Sequence, residues 1–331
     1  MRYVGILGGG VISVTHARAA REIEGVEVAA VYGENREKIA HLSQLYGGTA
    51  YDSFESFLAH KPMDLIMIGS PSGLHAEQGI AAAQHGLHVL VEKPLDITTE
   101  RADALINECE QAGVKLGVMF QDRVAPDICR LKDLVDGGEL GKPILVSGSV
   151  KWYRPPEYYG DSRWRGTWAL DGGGALMNQG VHTVDLLLWL IGDVERVSAK
   201  AVTALHDIEV EDTVVATLEF TNGAIGTLEA ATSVYPGYSR RVELTGTNGT
   251  IILEHDRIIT TDLRNPVAAP DERDNEGTDI SGHKRLLEDF LRAIETNSKA
   301  RCDGREGRRS VELVQAIYES SRTGRAVKLT T

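Results

Sequence analysis

Cysteine is scarce. Cys109, Cys129 and Cys302 are the only three among 331 residues, and they stand far apart. Without a CxxC pair they support neither a disulfide framework nor a zinc site. The expectation is a reduced, cytoplasmic setting. Basic residues are outnumbered, 35 Lys+Arg against 48 Asp+Glu, for a formal net charge of -13. Such a chain lacks the clustered positive surface that releases counterions from nucleic acid, and it is a poor partner for an anionic membrane. No apolar run approaches the roughly 20 residues that cross a bilayer. Met1–Leu7 runs into glycines and then a helix carrying Arg18 and Arg21, with no small-residue cleavage site. It therefore reads as a first strand and not as a leader. No repeat, low-complexity tract or metal-ligand cluster is evident, and no metal is expected.

What the chain does have is length for about two domains at ~150 residues each, and two alternating periodicities in its first third. Apolar runs at Tyr3–Leu7, Val26–Tyr32, Asp64–Ile68, Leu87–Val91 and Val114–Phe120 read as strands. Between them Ile12–Ile23, Arg36–Tyr46, His75–His85 and Thr98–Ala112 read as helices. Strands apolar throughout are buried on both faces, which predicts a parallel sheet covered by helices, a doubly wound α/β domain. Ligands of such sheets bind beyond the carboxyl ends of the strands.

The first of those ends carries Gly8-x-Gly10-x-x-Ser13. Gly8 permits a tight turn, Gly10 lets a pyrophosphate approach the backbone, and the following helix offers free N–H groups to it. Ser13 is small enough for helix and strand to pack closely. A glycine-rich turn can be only a turn, but between first strand and first helix it predicts dinucleotide binding. The second strand ends in Tyr32-Gly33-Glu34-Asn35-Arg36. An acid there would hold a ribose 2′-OH and a base would meet a 2′-phosphate. Glycine occupies the usual acidic position, with Glu34 one step late and Arg36 beyond it. Asn35 is also placed to cap the next helix, with Glu34 and Arg36 merely solvated. The cofactor reads as NAD or NADP.

The fourth of these strands runs into Val91-Glu92-Lys93-Pro94. Further on come Arg123-x-x-Pro126, Trp164-Arg165 and Gly172-Gly173-Gly174-x-x-x-Asn178-x-Gly180-x-His182-x-x-Asp185. With Gly8-x-Gly10, Ser70-Pro71 and His75, the chain resembles the Gfo/Idh/MocA family of NAD(P)-dependent sugar and cyclitol oxidoreductases. A segment from Arg163 to Gln179 resembles relatives that oxidise UDP-linked N-acetylglucosaminuronate. The resemblance implies a Rossmann domain over 1–121. It also implies a substrate and oligomerisation domain over 122–331, with an open, mainly antiparallel sheet. Pro143–Trp152, Val194–Ala204, Thr213–Phe220, Ala224–Thr232, Arg240–Thr245 and Thr250–Glu254 read as its strands, with an Asn248-Gly249 hairpin turn. Two helices follow, Lys284–Thr296 and Arg309–Thr323, while Asn265–Gly282 reads as an acidic, mobile loop. Alternating strands leave a face needing cover, so a homo-oligomer, dimer or tetramer, is expected.

By the same resemblance Lys93 orients the substrate hydroxyl, although on its own it is a surface lysine beside Glu92. Ala175–Ile191 reads as a helix that carries Asn178, His182 and Asp185 on neighbouring parts of one face. His182 is expected to be the general acid/base. Asp185 either orients its ring or only packs. Asn178 stands where many relatives carry aspartate, and an amide cannot share the proton work. Trp152, Arg154, Trp168 and Asn178 are candidate substrate residues, because aromatic faces stack on sugars and arginines hold hydroxyls or anions. The implied cofactor contacts are Gly8, Gly10, Val11, Ile12, Glu34, Arg36, Ser70, Pro71, His75, Glu92, Lys93, Gln121, Trp164 and Arg165. The implied reaction is hydride transfer between nicotinamide and a secondary alcohol or ketone of a sugar, sugar nucleotide or cyclitol. The alternatives are a glycoside hydrolase with transient oxidation, or a non-catalytic NAD(P)/sugar sensor.

Overall fold

The computed structural model describes residues 1–266 and 280–329. Most of the expected Asn265–Gly282 loop lies outside them. The described residues form two compact units, one from Met1–Gln121 with the described part of Glu276–Arg308, the other from the described parts of Asp122–Asn275 and Arg309–Thr331.

The first unit is built on β1 (Arg2–Leu7), α1 (Val11–Arg21), β2 (Val26–Tyr32), α2 (Arg36–Tyr46), β3 (Thr49–Tyr51) and α3 (Phe54–Leu58). It continues through β4 (Leu65–Ile68), α4 (His75–Gln84), β5 (His88–Val91), α5 (Thr99–Ala112) and β6 (Leu116–Val118). The six strands are all parallel, in the order β3-β2-β1-β4-β5-β6. That order reverses direction between β1 and β4, which opens a crevice at their carboxyl ends. Strands β4 and β6 are buried along their whole length, as continuous apolar runs demand. The short elements β3 and α3 were not anticipated. Three residues on an edge, Thr49 and Ala50 exposed and Tyr51 half-buried, leave no periodicity to read.

The expected second domain included everything after residue 121, but α9 (Ser281–Thr296) packs with the first unit. It buries His283, Leu286, Leu287, Phe290 and Leu291. A Cβ on Gly117 of β6 would lie 2.7 Å from the Phe290 ring, so that glycine is what lets the helix lie so close to the sheet.

The second unit holds α6 (Pro126–Asp136), β7 (Pro143–Lys151), α7 (Glu157–Gly160), α8 (Val181–Ile191), β8 (Val194–Val202), β9 (Thr213–Phe220) and β10 (Ile225–Ala231). After them come β11 (Arg241–Gly246), β12 (Gly249–Glu254), β13 (Arg257–Leu263), most of α10 (Gly304–Thr323) and β14 (Val327–Lys328). The sheet order is β13-β12-β11-β7-β10-β9-β8-β14, with only β7 and β10 paired in parallel. Thr247-Asn248 closes the β11–β12 hairpin, one residue earlier than the expected Asn248-Gly249 turn, and Gly249, at φ +147°, already pairs with Gly246. One sheet face packs on Leu186, Leu187, Leu190, Leu313 and Ile317. On the other, Leu145, Val215 and Ile225 are exposed. No helix among the described residues is long and apolar enough to cross a membrane.

The helix expected over Ala175–Ile191 is two pieces, a π-helical turn at Ala175–Gly180 followed by α8. Asn178 therefore sits in the wide turn and His182 in the first α-turn, so they do not share simple α-helical spacing.

Candidate active site

In the first unit the glycine-rich loop joins three strand ends. Gly8 N–H donates to the Tyr32 carbonyl, Gly69 N–H to Leu7 and Glu92 N–H to Ile68. Gly8 has φ +121°, and a Cβ there would sit 2.7 Å from the Gly69 oxygen, so only glycine fits. Ser13 is fully buried, and its Oγ would lie 2.5 Å from that Cβ. Gly10 is different, since nothing stands within 4 Å of where its Cβ would be. It is the N-cap of α1 without a capping side chain, no acid occupies the first turn, and Val11 is 86% exposed. A bare helix N-terminus behind open space fits a dinucleotide pyrophosphate. Gln121 Oε1, buried and lacking a hydrogen-bond partner, adds an unsatisfied acceptor in this unit.

The end of β2 explains the displaced acid. A Cβ on Gly33 would lie 3.1–3.2 Å from the Gly8 and Gly9 backbone, which leaves little room for a side chain. Glu34 and Arg36 are exposed, Asn35 Oδ1 caps α2 by accepting from Lys38 N–H, and Arg36 pairs with Asp52 at 3.2 Å.

Several candidates lie behind the strand ends. His75 is buried, with Nδ1 2.8 Å from the Pro94 carbonyl and Nε2 3.0 Å from the Ser70 carbonyl. Burial lowers its pKa against the pull of those carbonyls. The ring lies between the carbonyl of Ser70 and that of Pro94, the residue after Lys93, and its neutral form donates to one of the two. Ser70 Oγ donates to Gln78 Oε1. Glu92 turns inward, with Oε1 2.8 Å from His16 Nε2 and 3.6 Å from His283 Nε2, while Oε2 accepts from Lys93 N–H at 3.3 Å. Burial opposes its ionisation, but the two histidines outweigh that and hold the carboxyl well below the usual range. Glu92 is thus an anchor for the backbone that carries Lys93, which is itself half-buried.

In the second unit His182 Nδ1 lies 3.3 Å from Asp122 Oδ2, which Arg240 Nη1 contacts at 2.5 Å. Arg240 also pairs with Asp256. Burial works against the Asp122 carboxylate, but Arg240 and His182 together hold its pKa well below the ordinary range. Asp185 does not orient His182, because Arg123 holds it bidentately at 2.6 and 2.8 Å, with both side chains 1% exposed. Asp122 is the carboxylate at ion-pair distance from the ring instead. Nothing in the sequence near Gln121-Asp122-Arg123 signals that partnership, which only the tertiary fold creates.

Asn178 and His182 have separate partners. Asn178 Nδ2 donates to Asp171 Oδ1 at 2.6 Å, and its Oδ1 accepts from Gln179 Nε2 at 2.9 Å. Gln179 also donates to Tyr158 Oη and accepts from Arg154 Nη2. The Arg154 guanidinium lies over Trp152 and Tyr158, and that of Arg165 over Tyr158 and Trp164. Trp168 is 46% exposed, with its indole N–H donating to the Glu209 carbonyl.

A nicotinamide-type Rossmann unit, joined to a second unit that presents a carboxylate-backed histidine, defines an NAD(P)-dependent oxidoreductase. The profile described as "Oxidoreductase family, NAD-binding Rossmann fold" matches residues 2–120, and that described as "GFO/IDH/MocA C-terminal domain" matches 128–252. The chain belongs to the Gfo/Idh/MocA family. It is 32% identical to D-xylose 1-dehydrogenase (NADP(+)) 2 of Haloferax volcanii, over 98% of this chain and 99% of that one. It is 25% identical to myo-inositol 2-dehydrogenase of Thermotoga maritima, over 98% of each. Among solved structures, the WlbA dehydrogenase of Bordetella pertussis, in complex with NADH and UDP-GlcNAcA, superposes with a TM-score of 0.92 at 33% identity. That match covers 100% of this chain and 99% of the other. These relatives are dehydrogenases, which supports the redox reading over the hydrolytic and sensor alternatives.

Proposed function

We propose that the chain transfers hydride between NAD(P) and a secondary alcohol or ketone of a sugar, sugar nucleotide or cyclitol. The observation that carries this is His182, braced by Asp122 and Arg240, in a chain whose other unit has a bare helix N-terminus shaped for a dinucleotide. The bound nicotinamide supplies the hydride acceptor or donor. His182 takes the hydroxyl proton in oxidation and returns it in reduction. The carboxylate of Asp122 stabilises the imidazolium formed in oxidation. Lys93 steadies the oxygen as negative charge develops, and Glu92 holds its backbone in place. Asn178, fixed between Asp171 and Gln179, positions a substrate hydroxyl. Gly8, Gly10, Val11 and Ile12 cradle the pyrophosphate, with Glu34 and Arg36 near the ribose end. The test is a screen of sugars, inositols and sugar nucleotides by nicotinamide absorbance with both cofactors. On the best substrate His182→Ala should lower turnover by ~10²–10⁴-fold while cofactor affinity holds. Near-normal turnover would move the proton to another residue.

The assembly we infer is a homo-oligomer through the open face of the second-unit sheet. Leu145 and Ile225 are register partners on β7 and β10 and are 50% and 57% exposed. Cys109, Cys129 and Cys302 form no disulfide, which fits a reducing, cytoplasmic compartment.

A further inference from the structure

We propose that His16 and His283 are positioning residues that aim Lys93 by acting through the carboxylate of Glu92. The proposal rests on the role given to Lys93 in the hydride-transfer reading and adds two histidines to it. After Val91 the chain leaves β5 and forms no helix or strand before Thr99. In that stretch Glu92, Pro94, Leu95 and Asp96 are buried, and Lys93 between them is half-buried. A long side chain on irregular backbone has no ladder or helix to fix its direction, so its neighbours must do so.

Asp96 fastens one side. Its Oδ2 accepts from the Ala76 N–H at 2.8 Å, and its Oδ1 from the Ile97 N–H at 2.6 Å and Arg101 Nε at 2.7 Å. Glu92 fastens the other side and divides its oxygens. Oε2 accepts from the Lys93 N–H at 3.3 Å, while Oε1 lies 2.8 Å from His16 Nε2 and 3.6 Å from His283 Nε2. His16 stands on α1, the helix that starts at the glycine-rich loop, and His283 in the first turn of α9.

Both rings turn the same atom to the carboxylate and leave the other idle, since Nδ1 of His16 and of His283 is buried without a hydrogen-bond partner. A neutral imidazole has one N–H. Carried on Nε2, it faces Glu92 and leaves only a lone pair buried at Nδ1. His16 then donates a hydrogen bond to Oε1, and His283 adds its N–H dipole from 3.6 Å. An apolar side chain would join α1, β5 and α9 at less cost, because a buried carboxylate needs such partners. What an apolar side chain could not do is accept the Lys93 N–H. The histidines thus hold a carboxylate whose other oxygen holds the backbone of Lys93.

The experiment uses the intact protein with His283→Leu, His283→Gln and Lys93→Met. Amide hydrogen exchange is read first, since it needs no substrate. In His283→Leu the Lys93 amide should exchange at least about tenfold faster while those of β2 hold. His283→Gln, which keeps a donor near the place of Nε2, should restore it. Unchanged exchange at Lys93, or equal acceleration in β2, overturns the proposal. On the best substrate of the screen His283→Leu should lower kcat by about 10–100-fold with the KM for cofactor held. In the Lys93→Met background it should cost less than about twofold more, since the side chain it aims is gone. Losses that multiply would mark a general structural role and overturn the proposal. If Lys93→Met is impaired and His283→Leu turns over normally, the proposal fails and the hydride-transfer reading stands. If Lys93→Met itself turns over normally, the role of Lys93 fails and the proposal falls with it. Glu92 and the two rings also bring one ligand atom each within 4.8 Å of one another. A stoichiometric transition metal in the purified protein, lost in His283→Leu, would overturn the proposal and make the cluster a metal centre.

Discussion

Asp122→Asn removes the charge that faces His182 while keeping the side chain's shape. Oδ2 of Asp122 is 3.3 Å from the imidazole Nδ1. In the proposed role of His182 as proton acceptor, a cation forms beside that carboxylate. Opposite unit charges at this range attract by about 5 kcal/mol at an effective dielectric near 20. Arg240, already on the same oxygen at 2.5 Å, cancels part of that field. A residual of about 2–3 kcal/mol corresponds to a loss of about 30–150-fold in turnover. Arg240 keeps Asp256 as a partner, so its charge is not stranded and the fold should survive. Asp185→Asn is the counterpart. It leaves Arg123, 1% exposed, without its carboxylate, which should cost about 3–5 kcal/mol of stability. The assay is steady-state rate against substrate concentration, with denaturant melts of both variants. The reasoning fails if Asp122→Asn turns over like the unmodified enzyme. It fails equally if Asp185→Asn lowers kcat at unchanged stability.

Gly10→Val should weaken dinucleotide binding with little change in Tm, because open space surrounds the new side chain, whereas Gly8→Ala should destabilise the fold through its φ of +121° and its clash with Gly69. Cofactor titration alongside thermal melting separates the two, and a Gly10→Val protein with normal affinity would refute the pyrophosphate placement. Light scattering should show an oligomer that Leu145→Lys with Ile225→Lys dissociates, and a stable monomer at micromolar concentration would contradict the assembly. Burial pushes the Glu211 carboxyl up to about 7 from 4.5, against the pull of Leu176, Gly174 and Tyr318. The folded protein then keeps a proton that the unfolded chain has released, so stability should fall as pH rises between those two values and level off above them, by about 3 kcal/mol in total. Glu211→Gln should flatten that slope in denaturant melts, and an unchanged slope would refute it.

The elements legible in the sequence are those whose signal is local. Apolar runs revealed β1, β2, β4 and β5, β2 despite the exposed Glu27. Asn35 before Arg36–Tyr46 marked the start of α2, which begins and ends where its pattern does. Asn248-Gly249 marked the hairpin to within one residue, since the turn itself is Thr247-Asn248. The half-exposed edge strands β3 and β13 carried no such pattern. The return of α9 to the first unit was illegible because a helix's apolar face does not name its partner. That partner becomes visible only where Gly117 makes room for Phe290. The same limit separates His182, flagged by its glycine-rich approach, from Asp122, which reaches it across 60 residues of sequence.

Two adjacent acids show how far the candidate site depends on residues outside it. Glu211 takes the N–H groups of Gly174 and Leu176 on its two oxygens and the hydroxyl of Tyr318. A Cβ on Gly174 would run into the Glu211 carbonyl, so the glycine run is what allows that seat. The π-helical turn with Asn178, and then α8 with His182, start from it. Asp212 takes the N–H groups of Ala204, Leu205 and His206 and contacts the His206 ring, whose Nε2 meets the Arg154 carbonyl at 2.8 Å. Neighbouring residues entering β9 point to opposite sides, so this one dipeptide can brace two segments. Glu211 sets the start of the helix that carries His182, and Asp212, through His206, sets the segment that carries Arg154. Neither acid need touch a substrate for its loss to misplace both groups.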